Sequence, residues 1–165
     1  MDVLSTTQDS RSGMTIVEVM IVVTIIGILA VIAIPNAVEA RHRARDTVFM
    51  NEVRQVTGNA FQLYGFEYGD FPEDAAPGVE PINIAEYLPK YFDWTEETPI
   101  GGKWDWERAA DRSQKVHGIY AGLQVFEPGR TSGQMNAIDK AIDDGDPFTG
   151  VFRKTTVGYI FVLEY

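Results

Sequence analysis

Glu18 is the only charged residue in an apolar run of 21 residues from Met14 to Ile34. As a helix this run would be about 31 Å long, close to the thickness of the hydrocarbon core of a bilayer. A carboxylate at that depth costs about 2.5–3.5 kcal/mol and usually has a partner. One interpretation is that Glu18 pairs with a positive charge from outside the run, since the run itself contains none. The other interpretation is that Glu18 stabilises the helix N-terminus, where negative charge is favoured.

Near the C-terminus a group of three acids surrounds Gly145: Asp143, Asp144 and Asp146. Calcium prefers oxygen ligands from acid-rich loops of this kind. Alternatively, a helix ends here, with Gly145 as its left-handed C-terminal cap and the acids in solvent. Acids at a helix C-terminus oppose the helix dipole, and a cation would relieve that repulsion. The sequence leaves both interpretations open, and calcium is the one cofactor that it suggests.

The sequence contains no recognisable catalytic constellation. Residues 101–103 imitate the end of a phosphate-binding loop, but Glu97 and Trp104 occupy the positions that require glycine and Ser/Thr. His42 and His117 are far apart in the chain and there is no cysteine, so the spacing of a zinc site is missing. We therefore predict that the protein is not an enzyme and has no catalytic residues.

The stretch from Gly13 to Glu18, Gly-Met-Thr-Ile-Val-Glu, followed by the apolar run up to Pro35, resembles the N-terminus of type IV pilins and type II secretion pseudopilins. In that family a prepilin peptidase removes a hydrophilic leader after the glycine. The new N-terminus is then methylated, and the apolar helix forms the core of a helical filament. The resemblance implies processing between Gly13 and Met14, an assembly role for Glu18, and helix softening at Gly27 and Pro35. Cleavage there would create an amino group on Met14, one helical turn from Glu18, with which Glu18 of an adjacent subunit could pair.

The resemblance and the apolar pattern together predict four segments. Residues 1–13 are the leader, 14–35 the membrane-spanning and filament-core helix, 36–64 its amphipathic continuation, and 65–165 a globular C-terminal domain. The continuation carries an apolar stripe at helical spacing, formed by Phe49, Val53, Val56, Ala60 and Leu63. The predicted fold class is α+β and pilin-like, with a long N-terminal helix packed on a small antiparallel β-sheet.

Within the C-terminal domain, local patterns predict an order of elements. The elements are a loop at 65–81, a short helix at 82–91, strands at 103–107 and 116–126, a helix at 132–144, and closing strands at 151–153 and 159–165. Three tryptophans, Trp94, Trp104 and Trp106, are expected to form the core of this domain.

Composition narrows the function. The chain has 24 acidic and 14 basic residues, which argues against a nucleic-acid-binding surface. It has no cysteine, whereas many type IVa pilins close a C-terminal loop with a disulfide; major pseudopilins and some short pilins do not. Major pseudopilins also carry a calcium site in the loop region of their C-terminal sheet, which Asp143, Asp144 and Asp146 match in acidity and position.

We therefore expect a structural subunit of a type II secretion pseudopilus, closest to the major pseudopilins, that supports protein export. Its partners would be further copies in a helical filament, the prepilin peptidase, the inner-membrane assembly platform and other pilin-like subunits. It would span the cytoplasmic membrane once, with the C-terminal domain outside the cytoplasm, and assemble into a periplasmic or surface filament. Two alternatives stay open: a type IV pilus subunit for adhesion or motility, and a monomeric membrane-anchored binding module.

Overall fold

The computed structural model describes residues 13–165, so the predicted leader lies, except for Gly13, outside the described residues. The chain divides into a unit that ends at Arg41 and a second unit from His42 to Tyr165. Helix α1, Ile16–Gln55, begins in the first unit and ends in the second.

The first unit is the apolar part of α1. Its large apolar side chains from Met14 to Ile34 are 45–80% exposed. Pro35 lies inside α1, and the helix continues on both sides of it although proline supplies no amide hydrogen. The softening predicted at Pro35 and Gly27 therefore stays a prediction.

In the second unit, α1 leads into a π-helical segment, Val56–Phe61, and then into α2, Gln62–Tyr68. The helix thus extends into the stretch expected to be a loop, and it ends at Gly69, which has a φ of 78°. A left-handed glycine is the usual end of a helix because it carries no Cβ.

The π-helical segment corrects the predicted apolar stripe. The first four members of the stripe are buried, but its last member, Leu63, is 56% exposed. Phe61 and Tyr64 are buried instead. A π-helix closes its hydrogen bonds over five residues rather than four, so each residue turns the chain through a smaller angle. The inward face therefore arrives later in the sequence and passes from Leu63 to Tyr64.

The sheet consists of four antiparallel strands in the order β1-β2-β4-β3. The strands are β1 Lys103–Arg108, β2 Ala121–Phe126, β3 Phe152–Lys154 and β4 Gly158–Glu164. Alternation along β1 points Trp104 and Trp106 to one face. There Trp104 stacks on Phe49 with ring centroids 5.5 Å apart, and Trp106 stacks on Phe61 at 3.7 Å. The predicted pilin-like α+β fold and the aromatic core are confirmed.

Helix α3, Ser132–Ile142, starts with a capping box in which Thr131 and Gln134 bond each other's backbone amides. Met135 and Ile138 face the core. The helix ends two residues before the predicted Asp144, because the backbone of Asp143 leaves the helical region. Gly145 is consequently not the C-terminal cap, although its φ of 84° is left-handed as predicted.

Two further predictions were wrong for local reasons. Residues 82–91 form turns instead of a short helix, because Asn83 adopts a φ of 65° that an α-helix does not allow. The predicted strand 116–126 begins only at Ala121, because His117 and Gly118 form a left-handed turn with φ of 50° and 79°.

Candidate functional site

The predicted processing site lies immediately before the first helix. Gly13, Met14 and Thr15 are not helical, and Met14 is 73% exposed. A Cβ placed on Gly13 would meet no atom within 4 Å. The peptide bond after Gly13 therefore lies in an exposed, non-helical segment, and none of the described residues crowds a side chain at this position.

Glu18 and Thr15 form a capping box at the start of α1. The Thr15 amide and hydroxyl donate to Glu18 Oε2 at 3.3 and 3.4 Å, and the Glu18 amide donates to Thr15 Oγ1 at 3.3 Å. This arrangement satisfies backbone donors that the first turn of a helix leaves free. The bonds are long, and Glu18 Oε1 takes no part in them, so the carboxylate keeps capacity for a cation. The sequence signal for this capping box is Thr-x-x-Glu before an apolar run.

The acidic group at the end of α3 differs from the set predicted from the sequence. Carboxylate oxygens of Asp139, Asp143 and Asp144 lie within 4.8 Å of one another. The predicted residues Asp143 and Asp144 thus come together, but with Asp139 in the place of Asp146. Asp146 accepts the Phe148 amide at 3.0 Å.

The two loop acids of this group, Asp143 and Asp144, are held by the chain that leads to β3. Asp143 Oδ2 accepts the amides of Val151 and Phe152. Asp144 accepts the Asp146 amide and the Thr149 hydroxyl, both at 2.8 Å. These two bonds, with a smaller contribution from Arg153, lower the pKa of Asp144. The loop therefore presents two carboxylates in fixed positions.

Asp139 is the member that sequence reasoning missed. Its residue is 0% exposed, and neither carboxylate oxygen has a hydrogen-bond partner among the described residues. Burial raises the pKa of Asp139 to about 6, and the neighbouring carboxylates of the loop add to that rise. The Gly145 amide, which is not aligned for a hydrogen bond to Asp139, opposes the rise by less than any of these. The available signal was its place on the apolar face of α3, since it recurs with Met135, Ile138 and Ile142 at helical spacing. A charged residue on such a face needs a partner.

The residues present fit the calcium ion that the pseudopilin resemblance implies. The donors are all carboxylate oxygens, which suit a hard divalent cation. One of them is an orphaned buried carboxylate, which a cation would satisfy. Asp139, Asp143 and Asp144 would hold the ion, and its chemistry would be structural.

A second buried polar cluster lies on the sheet face opposite the tryptophans. Gln124 Nε2 donates to Asp105 Oδ2 at 2.7 Å, and the Thr155 hydroxyl donates to Gln124 Oε1 at 2.6 Å. Burial raises the pKa of Asp105 to about 6 against the effect of the Gln124 hydrogen bond, and the Glu107 carboxylate adds to the rise. The cluster joins β1, β2 and the turn before β4, which is a structural role.

Comparison with known proteins identifies the N-terminal segment. Residues 9–34 match the prokaryotic N-terminal methylation motif. The chain is similar to the type IV wide pilus major component PilA4 of Thermus thermophilus, with 41% identity over 61 residues that cover 32% of this chain and 47% of that protein. The match thus spans about half the length of that relative. No solved structure matches the chain.

These findings confirm the resemblance to type IV pilins, a structural and non-enzymatic family. The N-terminal segment and the α+β architecture of the chain are therefore both pilin-like.

Proposed function

We propose that this type IV pilin-like chain is a structural subunit of a type IV pilus, processed after Gly13 and polymerised through residues 14–35. The observation that carries the proposal is that the apolar side chains of α1 in the first unit are exposed. Among the described residues one helical stretch, Ile16–Tyr68, is long and apolar enough to cross a membrane, with a mean hydropathy of 2.9 over an 18-residue window. None of that window is buried.

An apolar helix that is exposed on every side requires an apolar environment outside its own chain. The membrane provides it for the free subunit, and neighbouring helices provide it in a filament. This supports a single-pass anchor in the cytoplasmic membrane, a C-terminal domain outside the cytoplasm, and a homo-oligomeric helical assembly. The prepilin peptidase, the assembly platform and other pilin-like subunits are the partners that such an assembly needs.

Glu18 has two roles in this proposal. In the free subunit it caps its own helix through Thr15, as the structure describes. After cleavage, its carboxylate also pairs with the methylated amino group of Met14 on an adjacent subunit. In a low-dielectric bundle that pair matters mainly because either charge left alone is costly.

The relative's description as a pilus component favours the pilus over the secretion pseudopilus predicted from the sequence. The pseudopilus stays the second candidate, because a cysteine-free domain is typical of major pseudopilins. Deleting the gene in its host separates the two. Loss of surface filaments with secretion intact supports the pilus, and the reverse supports the pseudopilus.

The class itself is tested by the mass of the N-terminus after expression with and without a prepilin peptidase. We expect a chain that begins at methylated Met14 only when the peptidase is present. The matched variant Gly13→Leu should keep the leader, and its own chain leaves room for the added side chain. An intact Met1 in the wild-type protein with active peptidase would overturn the proposal.

A further inference from the structure

We propose that the corner between α3 and β3 binds one calcium ion through Asp139, Asp143 and Asp144. The resemblance suggested a loop site formed by Asp143, Asp144 and Asp146. The structure assigns a different set, in which a buried carboxylate from α3 is central and Asp146 is not a ligand. The inference does not depend on the filament function.

The first argument is the geometry of the three carboxylates. One oxygen from each lies within 4.8 Å of the others. Calcium takes oxygens at 2.3–2.6 Å, so two oxygens on one ion lie at most about 4.6–5.2 Å apart. Separations up to 4.8 Å are therefore compatible with one shared calcium ion. Magnesium binds oxygens at 2.0–2.1 Å and requires near-ideal octahedral geometry, which carboxylates fixed by the hydrogen bonds of their own loop are less suited to supply.

The second argument is independent and concerns Asp139 alone. Both of its oxygens are buried without a hydrogen-bond partner, although buried polar groups in proteins are nearly always bonded. No described Lys, Arg or His forms an ion pair within 4.0 Å of any of the three acids. Arg153, on β3, donates to the Gly150 carbonyl at 2.6 Å instead. A divalent cation supplies the missing partner and the missing positive charge together.

The ion would join three parts of the fold. Asp139 belongs to α3, Asp144 to the loop, and Asp143 accepts the amides of Val151 and Phe152 where β3 begins. β3 is a three-residue strand at the edge of the sheet. Cation binding would therefore fix the end of α3 to this edge strand, and it would favour the helix C-terminus, where positive charge is stabilising.

The test is thermal unfolding of the full chain in detergent, with calcium, with magnesium or with a chelator, together with a calcium titration by calorimetry. We expect one ion per chain. The melting temperature should rise by about 5–10 °C when calcium is about 100 times its dissociation constant. Magnesium at the same concentration should raise it by less. An equal melting temperature in calcium and chelator, or an equal effect of magnesium, would overturn the assignment.

Two variants identify the ligands. Asp139→Asn should abolish the calcium shift while melting no lower than the wild type in chelator, because it removes an unpaired buried charge. Asp146→Asn, in the same loop but outside the set, should keep the calcium shift. Loss of the shift in Asp146→Asn with its retention in Asp139→Asn would restore the loop site and refute ours.

Discussion

Replacing Glu18 by Gln separates the two roles of this residue. Glutamine keeps a side-chain oxygen that can accept the Thr15 amide, and a capping box accepts Glu or Gln at this position. The negative charge that would pair with the Met14 amino group of a neighbour is lost. If assembly depends on that pair, Glu18→Gln should fail as completely as Glu18→Ala.

The expected size of the effect follows from the position of the residue in the apolar run. Leaving one charge unpaired at membrane depth costs about 2.5–3.5 kcal/mol. At 1.4 kcal/mol per tenfold change, this weakens the addition of a subunit by about 100-fold. Loss of a helix cap costs only about 0.5–2 kcal/mol, most often near 1. The pairing and capping roles therefore differ enough to be distinguished by assembly.

The assay compares filament yield for the wild type, Glu18→Gln, Glu18→Ala and Thr15→Val, each expressed with the peptidase and the assembly machinery. The N-terminal mass of each variant is measured first, so that failure of processing is not mistaken for failure of assembly. Thr15→Val is the matched control, since it removes the capping partner and leaves the charge of Glu18 in place. It should still assemble, with at most a modest loss.

Filaments from Glu18→Gln at the wild-type level would refute the ion pair and leave capping as the role of this residue. Failure of Thr15→Val together with success of Glu18→Gln would lead to the same conclusion.

Three further predictions concern the second unit and are checked by chemical denaturation. Asp105→Asn should raise the free energy of unfolding at pH 7 by about 1–3 kcal/mol, because the pKa of this acid is about 6 in the folded state and 3.8 otherwise. For the same reason the stability of the wild type should fall as the pH rises from about 4 to above 6. Equal stability of the wild type at pH 5 and 7.5 would contradict this. Gly150→Ala should lower the free energy of unfolding by about 1–3 kcal/mol, because φ of Gly150 is 70° and the added Cβ would overlap the Asp143 carboxylate. Its control is Gly133→Ala in α3, where an added Cβ meets nothing within 4 Å and the change should be neutral or slightly stabilising. Phe61→Ala should lose about 3–5 kcal/mol and Leu63→Ala less than about 1; equal losses would mean that the π-helical register is wrong.

The sequence was sufficient to predict the order of the long helix, the strands and α3, because apolar periodicity reports directly which residues are buried. The sequence was insufficient to predict that Leu63 is exposed. A strict three-and-four spacing assumes an α-helix throughout, and nothing in the letters of Val56–Phe61 announces a wider turn. The stacking of Phe61 on Trp106 at 3.7 Å belongs to that wider turn, and it is a tertiary contact that a local pattern does not contain.

The acidic corner shows a different limit. Asp143, Asp144 and Asp146 lie within four residues of one another, so a sequence pattern groups them. Asp139 precedes Asp143 by one helical turn, so it approaches the loop only because α3 continues as far as Ile142. Its place on an apolar face was the physical clue, since a buried carboxylate there is unfavourable unless something pairs with it. Burial, and not distance along the chain, identifies Asp139 as a member of this acidic group.

At both candidate sites of this protein, a carboxylate in apolar surroundings needs a partner. Asp139 is a carboxylate buried by its own chain without a partner, and the proposed cation would supply one. Glu18 is a carboxylate in an apolar segment that its own chain leaves exposed, and Thr15 satisfies it only through bonds of 3.3–3.4 Å. Transfer of that segment into lipid or among neighbouring helices removes the water that solvates Glu18, so its demand for a positive charge arises only on leaving water. Cleavage after Gly13 would create an amino group beside Glu18 on every subunit, so processing would be a physical precondition for the proposed assembly.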